Sequence, residues 1–309
     1  MVGDEDRRPL LDPLRDPLRA RLRALLPLLL PVLPKLKPQR DKWAEWLVEA
    51  RFKARSQDEI DEWAESLARV RERVLDRAVL EEDDIVLDVG AGTGLLVFGA
   101  LGRLGPDGGV VALDISVDCL EELRAKCDDP RVSYLVGSAE VLPLPDESVD
   151  AVLTRSVLIY VREKAEAARE FFRVSRPGGR LSIFEPVNRR NTQVWELFDF
   201  GDLEGRVIAD FRRRWPPDHP MLDFDVGEME RWFAAAGFQD LAVETHEDAH
   251  PMTAGSVLHG VGAPGCPSLV EAWREAFTPE EIERLVATVE AAEPVQWKVT
   301  VLYLSGRKP

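Results

Sequence analysis

The sequence contains few of the residues that build disulfides and metal centres. It has 3 cysteines and 4 histidines in 309 residues. Cys119, Cys127 and Cys266 show no metal-ligand or disulfide spacing, and their odd number leaves at least one thiol unpaired. We therefore expect no metal site and a reducing, cytoplasmic location.

The sequence also lacks an apolar run long enough to span a membrane. The longest run, at residues 24–33, includes Pro27 and Pro31 and is far shorter than the roughly 20 residues that a spanning helix requires. Pro34-Lys35-Leu36-Lys37 follows it in place of the small residues of a signal-peptide cleavage site. We interpret the run as retained in the protein and expect no integral membrane association.

Positive charge is scarce as well, except in one segment. The formal net charge of −16 argues against general nucleic-acid binding. Residues 13–40 nevertheless carry seven basic residues against one acid, Asp16. We interpret this basic arm as packing on the acidic body of the chain or on a second subunit, in a homodimer formed through the N-terminal helices. An arm that binds a membrane surface or a partner is the alternative.

Short apolar strands alternate with helical segments over residues 84–186, which is typical of a parallel sheet covered on both faces. Two further strands follow later in the chain. The predicted strands are residues 85–89, 110–114, 132–136, 151–154, 180–184, 241–245 and 297–304.

Helices are predicted around this alternating region. The pair Ser56 and Glu59 is typical of a capping box, Asp225 begins a helix that Gly237 closes, and Thr278 begins another. We predict a helical extension at residues 1–80 that covers a second unit at residues 81–309. That unit has insertions at about 187–224 and 246–295.

A glycine-rich turn after the first strand is the strongest functional signal. Gly90, Gly92 and Gly94 follow Asp88 and precede a helical run, and glycine lets a backbone approach a ligand closely. A dinucleotide fingerprint would carry its third glycine where this chain has Leu95. Asp88 would repel a pyrophosphate but suits an ammonium or sulfonium group. S-adenosylmethionine (SAM) carries both groups and no phosphate.

Two later strand ends extend the candidate site. Asp114 lies twenty residues after Gly94, where an acid is placed to accept hydrogen bonds from ribose hydroxyls. Its alternative role is to cap the helix at residues 116–126. Ser138 and Glu140 follow the third strand, where they could read the polar edge of an adenine or simply cap a loop.

Four blocks in this order resemble the class I SAM-dependent methyltransferases, and most closely the branch with ubiquinone-biosynthesis and small-molecule methyltransferases. The resemblance spans about residues 80–186. It implies a Rossmann-like, doubly wound, mostly parallel seven-stranded sheet with an antiparallel last strand. The blocks are D-V-G-A-G-T-G, A-L-D-I-S, G-S-A-E-x-L-P-L-P-D-E-S-V-D and S-R-P-G-G-R-L.

The same resemblance implies which residues bind SAM. The glycine turn would face the methionine part, Asp114 would hold the ribose, and Ile115 would pack against the adenine. Ser138 stands where the family often has Asp, so either Ser138 or Glu140 is expected to meet the adenine amino group. The full set of expected cofactor contacts is Asp88, Gly90, Ala91, Gly92, Thr93, Gly94, Asp114, Ile115, Ser138, Ala139, Glu140 and Arg155.

The acceptor side is less well defined by the sequence. Arg155 is predicted to pair with the SAM carboxylate or to form a surface ion pair. Tyr160 would border the substrate or only pack. Glu185, at the end of the fifth strand, is a candidate general base or orienting group, while pairing with a nearby arginine is its alternative. Trp195 and His219 are candidates for acceptor contact.

These residues predict a SAM-dependent methyltransferase that acts on a small organic acceptor. Three alternatives remain at this point. The acceptor could be a protein, or the chain could be a SAM-binding regulatory protein without turnover. A nicotinamide-dependent dehydrogenase is disfavoured by Leu95 and Asp88.

Overall fold

The computed structural model describes residues 40–292 and 295–309, and a seven-stranded sheet runs through them. Apart from Arg40, the basic arm lies outside the described residues. The sheet confirms the predicted α/β architecture. Its strands are β1 (Ile85–Val89), β2 (Gly109–Asp114), β3 (Val132–Val136), β4 (Val149–Arg155), β5 (Ser175–Pro186), β6 (Gln239–Met252) and β7 (Val295–Arg307).

The strand order is β3-β2-β1-β4-β5-β7-β6. Strands β1 to β5 are parallel to one another, and β7 runs antiparallel between β5 and β6. The order reverses between β1 and β4, so the connections leave these two strands in opposite directions. Ligands of open α/β sheets bind at the carboxyl ends of strands beside such a reversal. The glycine turn that follows β1 lies at this point.

Helices cover both faces of the sheet, as the buried apolar strands require. One face carries α2, α3 and α4, and the other carries α5 and α8. The bounds are α1 (Lys42–Val48), α2 (Gln57–Ala78), α3 (Leu95–Leu101), α4 (Val117–Lys126), α5 (Lys164–Val174), α6 (Val194–Leu197), α7 (Glu204–Arg214), α8 (Val226–Ala236), α9 (Ala254–His259), α10 (Leu269–Trp273) and α11 (Pro279–Ala291).

The predicted capping residues begin the helices as expected. Ser56, Asp225 and Thr278 each accept a backbone N–H of their helix, and the Glu three positions later bonds back to the cap. Gly237 ends α8 in the left-handed conformation. These contacts are local in sequence, so the sequence pattern predicts them well.

Five strands, β2 and β4 to β7, are longer than predicted, and β5 and β6 differ most. β6 continues past residue 245 to Met252 because it pairs with β7 along its whole length, so residues 246–252 of the predicted insertion belong to the sheet. β5 begins at Ser175, five residues before the predicted start, and Ser175 pairs with Val149 across an irregularity in register. Pairing partners distant in sequence decide both lengths.

The later segments pack into a small core of their own. Helices α6, α7, α9, α10 and α11 surround the fully buried Trp273. This cluster lies beside the end of the sheet that carries β6 and β7. Within residues 40–292 and 295–309, none of the helices combines the length and apolarity that crossing a bilayer demands.

Candidate cofactor and acceptor site

The turn after β1 depends on its three glycines. Gly90, Gly92 and Gly94 have φ of +71°, +52° and +98°, a region that glycine adopts without steric cost. The N–H groups of Gly90 and Ala91 donate to the carbonyl of Leu113, at 2.7 and 2.9 Å. A Cβ on Gly90 would lie 2.2 Å from Val157 Cγ2. The turn is therefore fixed against the ends of β2 and β4.

Asp88 lies directly before this turn and faces the cavity. It is 2% exposed, and its Oδ2 has no hydrogen-bond partner among the described residues. Burial, with a smaller contribution from the negative charge of Asp114, raises its pKa well above the ordinary value. A buried carboxylate oxygen without a partner is costly, and a cationic ligand group would satisfy it.

Asp114 shapes the turn from the end of β2. Its Oδ2 accepts the N–H of Gly92 at 2.8 Å, and its Oδ1 accepts the N–H of Ser116 at 2.8 Å. Burial raises the pKa of Asp114 although these two bonds oppose the shift. Ser116, rather than Asp114, caps helix α4 through the N–H of Cys119, so the capping alternative for Asp114 is wrong.

The residues expected around adenine surround one end of the same cavity. Ile115 is 61% exposed although it is large and apolar, and it lines the cavity with Ser138, Ala139 and Glu140. The N–H of Glu140 donates to the Ser138 hydroxyl at 3.2 Å. An exposed apolar side chain beside these polar groups is suited to a flat heterocycle.

Glu185 is placed differently from the prediction. Its carboxylate accepts the N–H groups of Val157 at 2.8 Å, Leu158 at 2.9 Å and Ile159 at 3.2 Å. It is fully buried and is absent from the cavity lining. Burial raises its pKa to about 7. Since its oxygens already bind backbone groups, Glu185 is a positioning residue in this structure and has no free oxygen to serve as a base.

The turn that Glu185 holds carries two residues of the site. Ser156 has a φ of +54°, a strained conformation for a side chain other than glycine. Arg155 precedes it and Tyr160 ends the short helix Leu158–Tyr160; both line the cavity. Tyr160 packs edge-on against Trp43, with ring centroids 4.9 Å apart. Burial raises the pKa of Tyr160, so its hydroxyl is neutral.

Arg155 forms no salt bridge within the described residues, and its buried Nε has no hydrogen-bond partner there. The alternative of a surface ion pair is therefore wrong, since Arg155 lines the cavity. Arg189 and Arg190, the two arginines that follow Glu185 in the sequence, pair with Glu228 and Asp225, so the alternative of an arginine partner for Glu185 from this segment is also wrong.

Trp195 and His219 lie outside the cavity lining. Trp195 packs against Phe211 in the small core, with ring centroids 5.0 Å apart. His219 packs against Trp215, and its Nδ1 accepts the N–H of Met221 at 3.2 Å. Met221 itself lines the cavity. Neither predicted acceptor residue has the placement that a direct contact requires.

The N-terminal elements contribute side chains that the motifs did not indicate. Trp43, Trp46 and Leu47 on α1 close one side of the cavity, and Arg51, Arg55 and Trp63 follow from the next elements. Trp46 Nε1 donates to the carbonyl of Val261 at 2.9 Å. No sequence signal in this region distinguishes a cavity-facing arginine from a solvated one.

Helix α1 is attached to the cofactor end by its N-cap residue. Asp41 caps α1, and its Oδ2 accepts the hydroxyl of Ser116 at 2.7 Å. The N–H of Asp41 donates to Asp118 Oδ2 at 2.5 Å. The cover therefore binds the segment that directly follows Asp114.

Together these elements line a cavity of about 620 Å³ along the carboxyl ends of β1, β2 and β4. The family model described as "Methyltransferase domain" matches residues 87–183, which include the glycine turn, Asp114 and the turn held by Glu185. The chain contains a class I SAM-dependent methyltransferase domain. SAM is the cofactor that defines this class, and the open glycine turn and the unpartnered Asp88 oxygen fit its ammonium group.

Curated relatives resemble the methyltransferase domain and its surroundings only in part. The arsenite methyltransferase of Halobacterium salinarum is 35% identical over 113 residues, which are 36% of this chain and 29% of the relative. The ubiquinone/menaquinone biosynthesis C-methyltransferase of Hahella chejuensis is 34% identical over 144 residues, 44% of this chain and 58% of the relative. The chain thus spans less than two thirds of these relatives.

A solved structure shares the fold of the methyltransferase domain over a larger part of the chain. Phosphoethanolamine N-methyltransferase 2 of Haemonchus contortus, in complex with SAM, superposes with a TM-score of 0.51 at 15% identity. The match covers 90% of this chain and 61% of that protein. At this identity the match shows a common fold.

Proposed function

We propose that this chain transfers a methyl group from SAM to a small organic acceptor. The observation that carries the proposal is the cavity at the strand ends, with the unpartnered Oδ2 of Asp88 beside the glycine turn. The matched relatives, which are small-molecule methyltransferases by name, support the same reaction class. Residues 1–80 would act as the cover of the unit at residues 81–309.

The placement of SAM follows from the polar groups of the cavity. Asp88 would bind the ammonium group, the glycine turn the methionine backbone atoms, and Asp114 the ribose hydroxyls. Ile115 would pack on the adenine, whose polar edge Ser138, Ala139 and Glu140 would meet. Arg155 stands at the end of β4, beside β1, where it would face the methionine carboxylate.

The chain assists transfer mainly by holding the reactants and excluding water. Bound SAM supplies a methyl group that its sulfonium already activates. The carboxyls among the described lining residues are Asp88, Asp114 and Glu140, all at the cofactor end, and that lining includes no histidine. Burial raises the pKa of Cys119 to about 12, so this thiol is also neutral. The described residues therefore position the nucleophilic atom of the acceptor and do not remove a proton from it.

Two measurements test the proposal. Calorimetric titration should show binding of SAM and of S-adenosylhomocysteine, and a library of small acceptors should yield S-adenosylhomocysteine in the presence of SAM. Absence of binding at millimolar ligand contradicts the cofactor assignment. Binding without turnover on small molecules or on protein acceptors would instead support a regulatory SAM-binding protein.

The proposed location and partners follow from the composition. Cys119, Cys127 and Cys266 are free thiols, which suits a reducing cytoplasm. The net charge of −16 disfavours nucleic acid as an acceptor. A homodimer through the N-terminal helices remains a prediction that the molecular mass in solution can decide.

The ionisation of Asp88 predicts a pH dependence of SAM binding. Burial raises its pKa well above the ordinary value, and a bound ammonium group would lower it again. SAM binding should therefore release a proton, and affinity should rise with pH over the range in which Asp88 loses its proton. Calorimetry in buffers of different ionisation enthalpy measures this release. Asp88→Asn should bind SAM more weakly, and its affinity should no longer rise with pH. An unchanged dependence of affinity on pH would exclude Asp88 as the cause.

Asp114→Ala should weaken binding of SAM by roughly 1–3 kcal/mol. The substitution removes the proposed ribose contacts and also the acceptor of the Gly92 N–H. Calorimetry with S-adenosylhomocysteine measures the loss. Asp128→Ala, at an exposed position just after the end of α4, serves as the control for removal of a nearby acid. Equal affinity of Asp114→Ala and the unmodified protein would refute the ribose assignment.

A further inference from the structure

Four arginines line the cavity, namely Arg51, Arg55, Arg71 and Arg155, and the three carboxyls of the lining lie at the cofactor end. Arg71 pairs with Glu72 at 2.7 Å. Arg51 and Arg155 have no salt bridge within the described part of the chain, and the buried Nε atom of each lacks a hydrogen-bond partner there.

These two guanidinium groups lie close enough to repel each other. Burial, followed by the charges of Arg155 and Arg55, lowers the pKa of Arg51 to about 10. Arg51 remains charged at neutral pH. Glu185 is the carboxylate that faces Arg155, but its oxygens bind three backbone N–H groups. Two half-buried like charges in one cavity, neither with a carboxylate at salt-bridge distance among the described residues, indicate a site for an anion.

Aromatic rings support the guanidinium of Arg51 and leave its N–H groups available. Its Cζ lies 4.3 Å from the ring centroid of Trp63 and 4.9 Å from that of Phe52. Contact with rings occupies the flat faces of a guanidinium, whereas its N–H groups lie in the plane at the edge. That edge matches a carboxylate, which can accept two parallel hydrogen bonds.

The single carboxylate of SAM can neutralise only one of the two arginines, Arg51 or Arg155. SAM carries one carboxylate and two positive groups, so it adds net positive charge to the cavity. Arg155 follows β4, whose Thr154 pairs with Val89 of β1, and therefore stands beside the glycine turn. Arg51 lies instead on the N-terminal cover, between Trp46 and Trp63.

We propose that the acceptor is a flat, anionic molecule and that Arg51 binds its carboxylate or an equivalent oxyanion. This proposal rests on the proposed function, because it assigns Arg155 to the SAM carboxylate. Trp43, Trp46 and Trp63 would contact the ring system of the acceptor. The absence of an ionising group from the described acceptor side agrees with an acceptor that brings its own negative charge.

Salicylate and salicylamide test this directly, since they share a flat hydroxylated ring and differ in charge. Their affinities are measured by calorimetry on protein saturated with S-adenosylhomocysteine. Salicylate should bind at least about tenfold more tightly than salicylamide. Arg51→Met should abolish this preference. Lys53→Met should retain it, because it removes a charge from the same segment outside the cavity.

The affinity for S-adenosylhomocysteine separates the possible failures. The affinity of Arg51→Met for S-adenosylhomocysteine should stay within about twofold of that of the unmodified protein, which also shows that the variant folds. Arg155→Met should lower this affinity. If Arg51→Met lowers it instead, Arg51 binds the cofactor carboxylate and the proposal is overturned. Equal affinity for the two probes, including failure of both to bind, overturns it too. No binding of S-adenosylhomocysteine to the unmodified protein would mean that the proposed function itself is wrong.

Discussion

Gly92→Val should reduce SAM affinity by at least about a hundredfold. Gly92 has a φ of +52°, which a β-branched residue adopts only at a cost of roughly 1–3 kcal/mol. A Cβ here would lie 3.1 Å from Leu47 Cδ1, and the remainder of a valine would extend between α1 and the glycine turn. The backbone N–H of Gly92 would also shift away from Asp114. Calorimetry with SAM measures the effect.

Gly205→Val is the matched control for this substitution. Gly205 lies in the first turn of α7, and a Cβ there would meet nothing within 4 Å. The control should bind SAM as the unmodified protein does, while far-ultraviolet circular dichroism verifies that both variants fold. A Gly92→Val protein that is folded and binds normally would show that the turn has only a structural role.

Glu185→Ala should destabilise the protein by roughly 3 kcal/mol or more. The substitution leaves the N–H groups of Val157, Leu158 and Ile159 without their acceptor, and unpaired buried donors are costly. It also frees the strained turn that carries Arg155 and Tyr160. Denaturant unfolding measures the loss, and activity per folded molecule should fall with it because both side chains lose their support.

Glu185→Gln separates this positioning role from the charge. Burial raises the pKa of Glu185 to about 7 from an ordinary 4.5, so the folded state binds the proton more strongly than the unfolded state. The contribution of the carboxyl to stability is therefore greatest below about pH 4.5 and declines as the pH rises toward 7. The glutamine variant should lack this decline. If the free energy of unfolding changes with pH equally in the two proteins, the raised pKa of Glu185 is contradicted.

The sequence predicted the cofactor end of the site better than the acceptor end. The glycine turn and Asp114 lie within a few residues of their strands, and local sequence determines their conformation. The caps at Ser56 and Asp225 are local in the same way. A parallel sheet then brings the ends of its strands together, so these residues share a cavity without any further information.

The acceptor end depends on contacts between distant parts of the chain. Glu185 sits at a strand end as predicted, but its partners are backbone groups near residue 158, which no side-chain pattern reveals. Arg51 reaches the cavity only because the N-terminal cover folds over the sheet. Only the chemistry of its imidazole favoured His219 as an acceptor contact, and in the structure its ring packs against Trp215 instead. Tertiary packing decides each of these positions.

The attachment of α1 through Asp41 makes the cover a participant in ligand binding. Its Trp43 and Leu47 line the same cavity as the glycine turn, and its N-cap residue accepts the hydroxyl of Ser116, next to the proposed ribose site. A molecule that contacts both surfaces would stabilise the docked helix and would in turn be held by it. A cofactor and an acceptor bound as proposed would therefore influence each other's affinity through this seven-residue helix, even where they do not touch.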